Sequence, residues 1–494
     1  MFKIYLPFLT FICVVFLSSC HGNDTIKIGS LIPTPQSVSL QSNSELEIVW
    51  ENPENPEIEG LILSRKIGEE EWDDNYRELP SGVTNYTDSL EIVLNIIISY
   101  RLRVFTLNDT SDYSDIIAYF GSETVPTNVA VRQIDTQKFR LSWSDNSFGE
   151  EQFIIDKKIG NRSWQNNYHQ VSANQTEYID GNISGSDTVY YRISANVGTS
   201  NSQTSSIVKE KPGTLSLSNL YFGTESSFEI LTWNVQNFPR KNGDTIISLA
   251  QAINSLQVDI IALQEVESNS GFNTLIDSLE NYQGFRANSA YADLDVAYLY
   301  NTTSVSIDSI YEIYSREYSA FPRRPLVMRC HWRDTPIVII NNHYKCCGDG
   351  VINRNNDDDE EYRRFRASEL LVSYIQDHFA NDRVILVGDF NDEITDIQNN
   401  NIFQPFIELS SSFKLADMNI ALGNSSQWSY PTWPSHIDHI IISNELFDEF
   451  SESTTIIQTL LIDQYFSSGW NEYALIISDH RPVGLKLRFS NPVY

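Results

Sequence analysis

Basic residues are scarce in this chain of 494 residues: 34 Lys and Arg stand against 65 Asp and Glu, a formal charge of −31. That deficit excludes a generic polycationic nucleic-acid coat and a polybasic membrane binder. A polyanionic substrate would need a metal ion or a local Arg/Lys cluster to offset the field. Cysteine is scarcer still, at five. So few thiols, at the wrong spacing, argue against a structural zinc site. Long apolar runs are missing beyond the first twenty residues, so no later segment reads as a bilayer span. What is present is ordinary for folded protein: 41% hydrophobic and 20% charged residues, which excludes a largely disordered chain. At roughly 100–200 residues per domain, about two to four domains are expected.

The first residues carry one charge, Lys3, then an apolar run from Tyr5 to Phe16 and Leu17-Ser18-Ser19-Cys20. A short charged start, a short apolar stretch and small residues before a cut read as a signal peptide. Leu-Ser-Ser-Cys resembles a bacterial lipobox, which implies that residues 1–19 leave and Cys20 is lipidated. Residues 20–30 are polar and read as a tether. An exported, membrane-anchored lipoprotein is the expectation, at the outer membrane or cell surface of a bacterium.

Two stretches then repeat each other. Leu46-Glu47-Ile48-Val49-Trp50, Tyr86-Thr87-Asp88 and Tyr100-Arg101-Leu102-Arg103-Val104 return as Phe139-Arg140-Leu141-Ser142-Trp143, Tyr178-Ile179-Asp180 and Tyr191-Arg192-Ile193-Ser194-Ala195. Alternating apolar and polar residues, broken by Gly, Asn, Asp and Ser, predict short antiparallel strands in sandwiches. Both units, 31–121 and 122–212, resemble fibronectin type III domains. Trp50 and Trp143 read as core residues, and neither unit holds a constellation able to do chemistry.

Lys211-Pro212-Gly213 opens a linker, 213–226. Beyond it the pattern changes. Phe228 to Trp233 reads as a strand. Asp244 reads as the cap of a helix reaching Gln257, with Ile246, Leu249, Ile253 and Leu256 at helical spacing. Asp259 to Leu263 is a second strand, so the three elements form the unit of a parallel pairing. Glu361 to Phe379 reads as a helix and Val384 to Val387 as a buried strand, which makes 227–494 one α/β domain.

Polar residues stand just past these strands: Asn234, Glu265 and Asp389. Ligands bind at the carboxyl ends of strands in α/β sheets. Two carboxylates and an amide on one rim are oxygen donors suited to a hard cation. Histidines add to them. His343 ends the strand from Val338, His436 and His439 flank Asp438, and His480 follows Asp479. A histidine with a carboxylate partner is a general acid/base pair. His169, His331 and His378 read as structural.

Six motifs now stand in one order: Thr232-Trp233-Asn234-Val235-Gln236-Asn237, Leu263-Gln264-Glu265-Val266, Asn342-His343, Gly388-Asp389-Phe390-Asn391-Asp392, Ser435-His436-Ile437-Asp438-His439 and Ser478-Asp479-His480. Over about 227 to 489 the chain resembles the endonuclease/exonuclease/phosphatase superfamily, on its deoxyribonuclease I side. The fold class expected is therefore multidomain: two all-β fibronectin type III-like sandwiches, then an α/β (α+β) four-layer sandwich, two facing sheets covered by helices.

The resemblance implies roles. Glu265 binds a catalytic Mg²⁺, with Mn²⁺ or Ca²⁺ as alternatives, and Asn234 and Asp479 complete or support that site. Asp389 aims or deprotonates the attacking water, and Asn391 holds a phosphoryl oxygen. His480, oriented by Asp438, contacts the scissile phosphate, and His343 is a second phosphate ligand or acid. Arg323, in Phe321-Pro322-Arg323-Arg324-Pro325, and Lys345, two residues after His343, are nominated to bind substrate. The expected activity is metal-dependent phosphodiester hydrolysis, with DNA or RNA as substrate and the membrane reached through Cys20. A phospholipid head-group phosphodiesterase or phosphatase, and a surface adhesion lipoprotein, stay open beside it. No protein partner is inferable.

Cys330, Cys346 and Cys347 remain after Cys13 and Cys20 are set aside, an odd number. A hairpin around Asp334-Thr335 would put Cys330 opposite residue 339, about 23 Å of strand from Cys346 at ~3.3 Å per residue. That separation predicts no Cys330–Cys346 disulfide, and leaves a vicinal Cys346–Cys347 bond open.

Overall fold

The computed structural model describes residues 27–290 and 294–489. The signal-peptide reading and Cys20 lie outside the described residues. No helix among them is long and apolar enough to cross a membrane. The chain divides into two compact units: 1–131 with 141–179 and 187–210, and 132–140 with 180–186 and 211–494.

In the first unit, Thr34–Ser42, Glu45–Glu51 and Asn85–Ser89 form one sheet, and Asp73–Pro80, Gly60–Ile67, Ile97–Phe105 and Ile117–Phe120 the other. Alternation decides what is buried: Leu46, Ile48 and Trp50 point into a core shared with Leu61, Leu63, Tyr100 and Leu102. The repeat builds the same plan. Glu177–Asp180, Lys138–Ser144 and Thr127–Asp135 form one sheet; Gln165–Ser172, Gln152–Ile159, Val189–Val197 and Ser200–Asn201 form the other, with Val208–Glu210 also on Val189–Val197. Trp50 and Trp143 are both buried, as the sequence predicts.

The C-terminal unit holds two six-stranded sheets. The first contains β1 (Phe228–Phe238), β2 (Ile260–Val266), β3 (Tyr282–Arg286), β4 (Asp295–Asn301), β11 (Ile456–Thr459) and β12 (Val483–Leu487), in the order β3-β4-β2-β1-β12-β11. The second contains β5 (Val305–Glu312), β6 (Leu326–Trp332), β7 (Thr335–His343), β8 (Val384–Asp389), β9 (Phe413–Leu415) and β10 (Asp438–Ser443), in the order β5-β6-β7-β8-β10-β9. Phe228, Ile230, Ile260 and Ala262 of the first sheet share one apolar core with Met328, Ile339, Ile385 and Ile440 of the second. Helices α1 (Gly243–Leu256) and α2 (Asn269–Asp277) pack on the other face of the first sheet through Leu249, Ile253 and Phe272. Helix α3 (Glu360–His378) covers the second through Phe365, Leu371 and Ile375.

Two crossovers position the site. β1 runs parallel to β2 across α1, pairing Asn234 with Gln264. β7 runs parallel to β8 across α3, pairing His343 with Asp389. Parallel strands end at the same rim, so Asn234, Glu265, His343 and Asp389, which lie within the C-terminal parts of β1, β2, β7 and β8 rather than past them, arrive together. Antiparallel β10 starts where β8 ends and sets Asp438 opposite Asp389. In the same way β12 starts beside Thr232, so Asp479 and His480 enter at that rim.

Local boundaries differ from the sequence reading in places. Asn242 holds the N-cap position of α1 and Asp244 lies in its first turn. Strand β2 starts after Asp259, whose carboxylate leaves the ladder to accept the Glu229 N–H at 2.8 Å. Helix α3 starts one residue early because Asp359 accepts the Tyr362 N–H at 2.8 Å. The β6–β7 turn is Arg333-Asp334, with Arg333 at φ +52°. Cys330 therefore faces Ile337, not residue 339.

Candidate active site

Sequence-distant polar groups converge on one oxygen, Asp389 Oδ2. Asn234 Nδ2 donates to it at 2.9 Å. His343 Nε2 lies 3.6 Å away and His480 Nε2 4.0 Å away. The other oxygen accepts the Asn391 N–H at 2.9 Å. Burial pushes the Asp389 carboxyl up to about 7, helped by Asp438 and Glu265 and opposed by His480 and Asn234. A carboxylate tuned near neutrality suits a general base.

His480 Nδ1 bonds Asp438 Oδ2 at 2.8 Å. Burial alone would lower this imidazole, but Asp438, Asp389 and Asp479 raise it to about 10. It stands charged, with Nε2 facing the cluster. The Tyr430 ring packs 4.7 Å from it, and the Tyr473 hydroxyl holds its backbone carbonyl. Ser478 Oγ donates to the Asn234 carbonyl at 2.6 Å and accepts the His480 N–H at 3.0 Å, tying β1 to the Asp479-His480 segment.

His343 differs. It is fully buried, and burial, with Arg323 and His480 nearby, holds its imidazole well below the usual range. It stands neutral, with Nε2 also 3.9 Å from Glu265 Oε1. Among the described residues nothing hydrogen-bonds to its Nδ1.

The metal reading rests on Glu265 and Asp479. Glu265 sits at φ +61° and accepts from Asn234 Nδ2 at 3.2 Å and from the Asn237 N–H at 3.0 Å. Burial and the Glu265 charge raise the Asp479 carboxyl, against His480. Asp479 Oδ1 is buried and has no hydrogen-bond partner among the described residues, while Oδ2 takes the Gln236 amide at 2.7 Å. Two crowded carboxylates with an unsatisfied buried oxygen fit a hard divalent cation. Asn234 is placed to support the site rather than to complete it. Its Oδ1 is occupied by the Gln236 N–H at 2.9 Å, and its Nδ2 donates to both carboxylates. It positions acids rather than offering an oxygen. Asp389, Asp438 and His480 also bring ligand atoms within 4.8 Å of one another, but the Asp438–His480 hydrogen bond occupies that pair.

The nominated cations separate. Arg323 Nη1 donates to the Tyr344 carbonyl at 3.2 Å, one residue past His343. Asn391 Nδ2 reaches the same carbonyl at 3.3 Å, so Arg323 lies at the rim. Lys345 does not join the cluster: its ammonium bonds the Cys346 carbonyl at 2.8 Å and lies 3.9 Å from Glu360. Arg324 pairs with Glu312 and Arg364 with Asp392. All three described cysteines are free, with Cys346 and Cys347 Sγ 3.2 Å apart. His169, His331 and His378 contact Tyr178, Asp308 and Tyr374.

Sequence reasoning missed Tyr430, Tyr473, Ser478, Gln236 and Arg240. Gln236 and Ser478 lie inside the first and last of the six motifs, and only their packing distinguishes them. Arg240 is exposed in the loop after β1 and its charge lowers Asp479. Nothing in sequence marks Tyr430, which reaches His480 from a separate loop.

Acids crowded on one rim, a charged His–Asp pair and a neutral histidine beside a tuned carboxylate define a hydrolase of phosphate esters. The chain belongs to the endonuclease/exonuclease/phosphatase family, whose model matches residues 231–480. Among solved structures it is similar to a humanized Danio rerio TDP2 with 14 mutations, at 13% identity and TM-score 0.40, over 54% of this chain and 100% of that one. It is similar to the human Nocturnin catalytic domain with bound sulfate, at 16% identity and TM-score 0.40, over 54% and 96%. A Bacteroides vulgatus endonuclease/exonuclease/phosphatase matches at 12% identity and TM-score 0.39, over 54% and 100%. No curated protein matches the chain.

Proposed function

We propose that this chain is a divalent-metal-dependent phosphodiesterase that cuts nucleic acid internally, exported and held to a bacterial membrane through lipidated Cys20. The observation that carries the catalytic part is the convergence of Asn234, His343 and His480 on Asp389 Oδ2. Glu265 and Asp479 would hold the metal, Mg²⁺ on this reading. When bound, it polarises a phosphoryl oxygen and offsets charge in the transition state. Asp389 accepts a proton from the attacking water. Asn391, turned into the rim at φ +54°, donates to a phosphoryl oxygen. His480, kept charged and aimed by Asp438, donates to the phosphate and the leaving oxygen. His343, neutral, adds a second donor, and Arg323 grips the flanking phosphate.

The N-terminal sandwiches are read as fibronectin type III domains serving as spacers or binding modules, on three-, four- and five-stranded sheets that hold no cluster of metal-ligating side chains among the described residues. The C-terminal unit is read as the four-layer, deoxyribonuclease I-like arrangement, on its two facing sheets with helices outside.

Plasmid nicking by residues 24–494 tests this, with Mg²⁺, with EDTA and with His480→Ala, alongside single-stranded DNA and RNA. Cleavage abolished by both EDTA and His480→Ala is expected. A folded protein that cuts no nucleic acid overturns the nuclease reading, and sphingomyelin and phosphomonoesters are then the substrates to assay.

A further inference from the structure

A second His–Asp cluster lies behind the first. Asp417 is wholly buried between His436 and His439, the two histidines that flank Asp438. Its Oδ2 is 2.8 Å from His436 Nε2 and 2.6 Å from His439 Nδ1, and its Oδ1 accepts the Ile440 N–H at 3.1 Å. These atoms are within 4.8 Å of each other. They are already bonded to one another, so the cluster is read as a hydrogen-bond network rather than a metal site.

Counting donors fixes the protons. His439 Nε2 is 2.9 Å from the Asp392 carbonyl, which only accepts, so Nε2 carries hydrogen. His436 Nδ1 accepts the Ser429 N–H at 3.3 Å, so its hydrogen is on Nε2, aimed at Asp417. Asp417 thus receives two N–H groups, from Ile440 and His436, which favours the carboxylate, and a carboxylate 2.6 Å from His439 Nδ1 favours hydrogen on that nitrogen as well. The pair is Asp417 carboxylate with His439 imidazolium. The charge directions agree: burial opposes both, and the partners nonetheless hold Asp417 below and His439 above their usual ranges.

Two partners of this network, Asp392 and Ser429, adjoin the active site. The Asp392 carbonyl ends the turn that carries Asp389 and Asn391, and Asn391 is held in the left-handed region. Such a conformation persists only where surroundings enforce it. Ser429 precedes Tyr430, and its Oγ accepts the Asp438 N–H at 3.2 Å. We propose that Asp417, His436 and His439 are positioning residues: a buried ion pair that clamps the Asn391 turn and the Asp438 strand in catalytic register. The proposal rests on the phosphodiesterase reading for its kinetic effect, but not for its geometry.

The test uses residues 24–494 and three readouts. With ¹⁵N-histidine, the His439 resonances, assigned through His439→Gln, should show both nitrogens protonated at pH 7.5. In Asp417→Asn and in His439→Gln, hydrogen exchange over 388–392 should accelerate while 228–238 is unchanged. For hydrolysis of a phosphodiester, kcat should fall about 10- to 100-fold in Asp417→Asn, with KM unchanged. In the Asn391→Ala background the same substitution should cost less, because only its effect through Asp389 and Asp438 remains. A neutral His439, unchanged exchange over 388–392, or an undiminished loss in the Asn391→Ala background overturns the clamp. An inactive parent with the expected resonances and exchange overturns only the reading of function.

Discussion

Asp389 is one carboxylate asked to serve two neighbours of opposite character. His480 is charged because Asp438 bonds its Nδ1, and His343 is neutral because burial wins there. The same residue type thus takes two protonation states within one site, set by whether a carboxylate hydrogen-bonds the ring. His480→Ala should lower kcat about 10²- to 10⁴-fold. Asp438→Asn leaves the ring in place but removes the charge that holds its proton, and should cost about 10²-fold. Steady-state hydrolysis of a phosphodiester measures both, and a wild-type rate in Asp438→Asn would deny that the pair acts as one. Glu265→Gln should weaken Mg²⁺ binding about 10-fold or more, read by titration calorimetry. Undiminished affinity would remove Glu265 from the metal set.

At the scale of elements, the ends of strands matter more than their middles. Gly388 shows why. It pairs with Asn342 at the end of β8 and sits at φ +152°, where an added Cβ would meet the Asn342 carbonyl oxygen at 2.0 Å. The two strands that carry His343 and Asp389 can approach only because that side chain is absent. Gly388→Ala should cost at least about 3 kcal/mol, seen as a lower Tm; an unchanged Tm would show that the strands yield. At the opposite end of β1, Glu229 is fully buried. Burial and Asp259 raise its carboxyl to about 9, against Lys486 at 3.7 Å. A carboxyl whose folded value exceeds its unfolded one binds its proton more tightly in the folded state. Stability from this group is full below about 4.5 and falls as pH rises toward 9. Glu229→Gln should therefore flatten the loss of Tm between those values. A Tm profile that stays parallel to wild type would show the group ionised throughout.

For the whole molecule, the candidate catalytic residues all lie in the C-terminal unit and none in the first sandwich. A chain starting at residue 122 should keep kcat and KM within about twofold. A larger change would give the first sandwich a part in the reaction. The acidic balance of −31 sets a second expectation at this scale: on the proposed nuclease function, binding of nucleic acid should depend on the divalent ion more than on surface cations.

Much of this was legible along the chain. Alternation marked the paired sandwiches, and the switch to helical spacing after residue 243 marked the parallel unit, because side-chain period reports which face is buried. Asn234, Glu265, His343, Asp389 and Asp438 were legible because each adjoins an apolar run, and His480 because it follows Asp479. What sequence could not carry was direction and proximity. Asn234 turns its amide rather than its oxygen to the carboxylates, since the Gln236 N–H captures that oxygen. Lys345 turns to Glu360, because α3 brings an acid within reach. Tyr430 meets His480, and Asp417 gathers His436 and His439, through contacts that packing alone creates. Sequence by itself determined the elements and the chemistry available at their ends, since both follow from local pattern. Tertiary structure alone decided which atoms face one another and which protons they keep, since hydrogen-bond geometry and burial exist only once the sheets have closed.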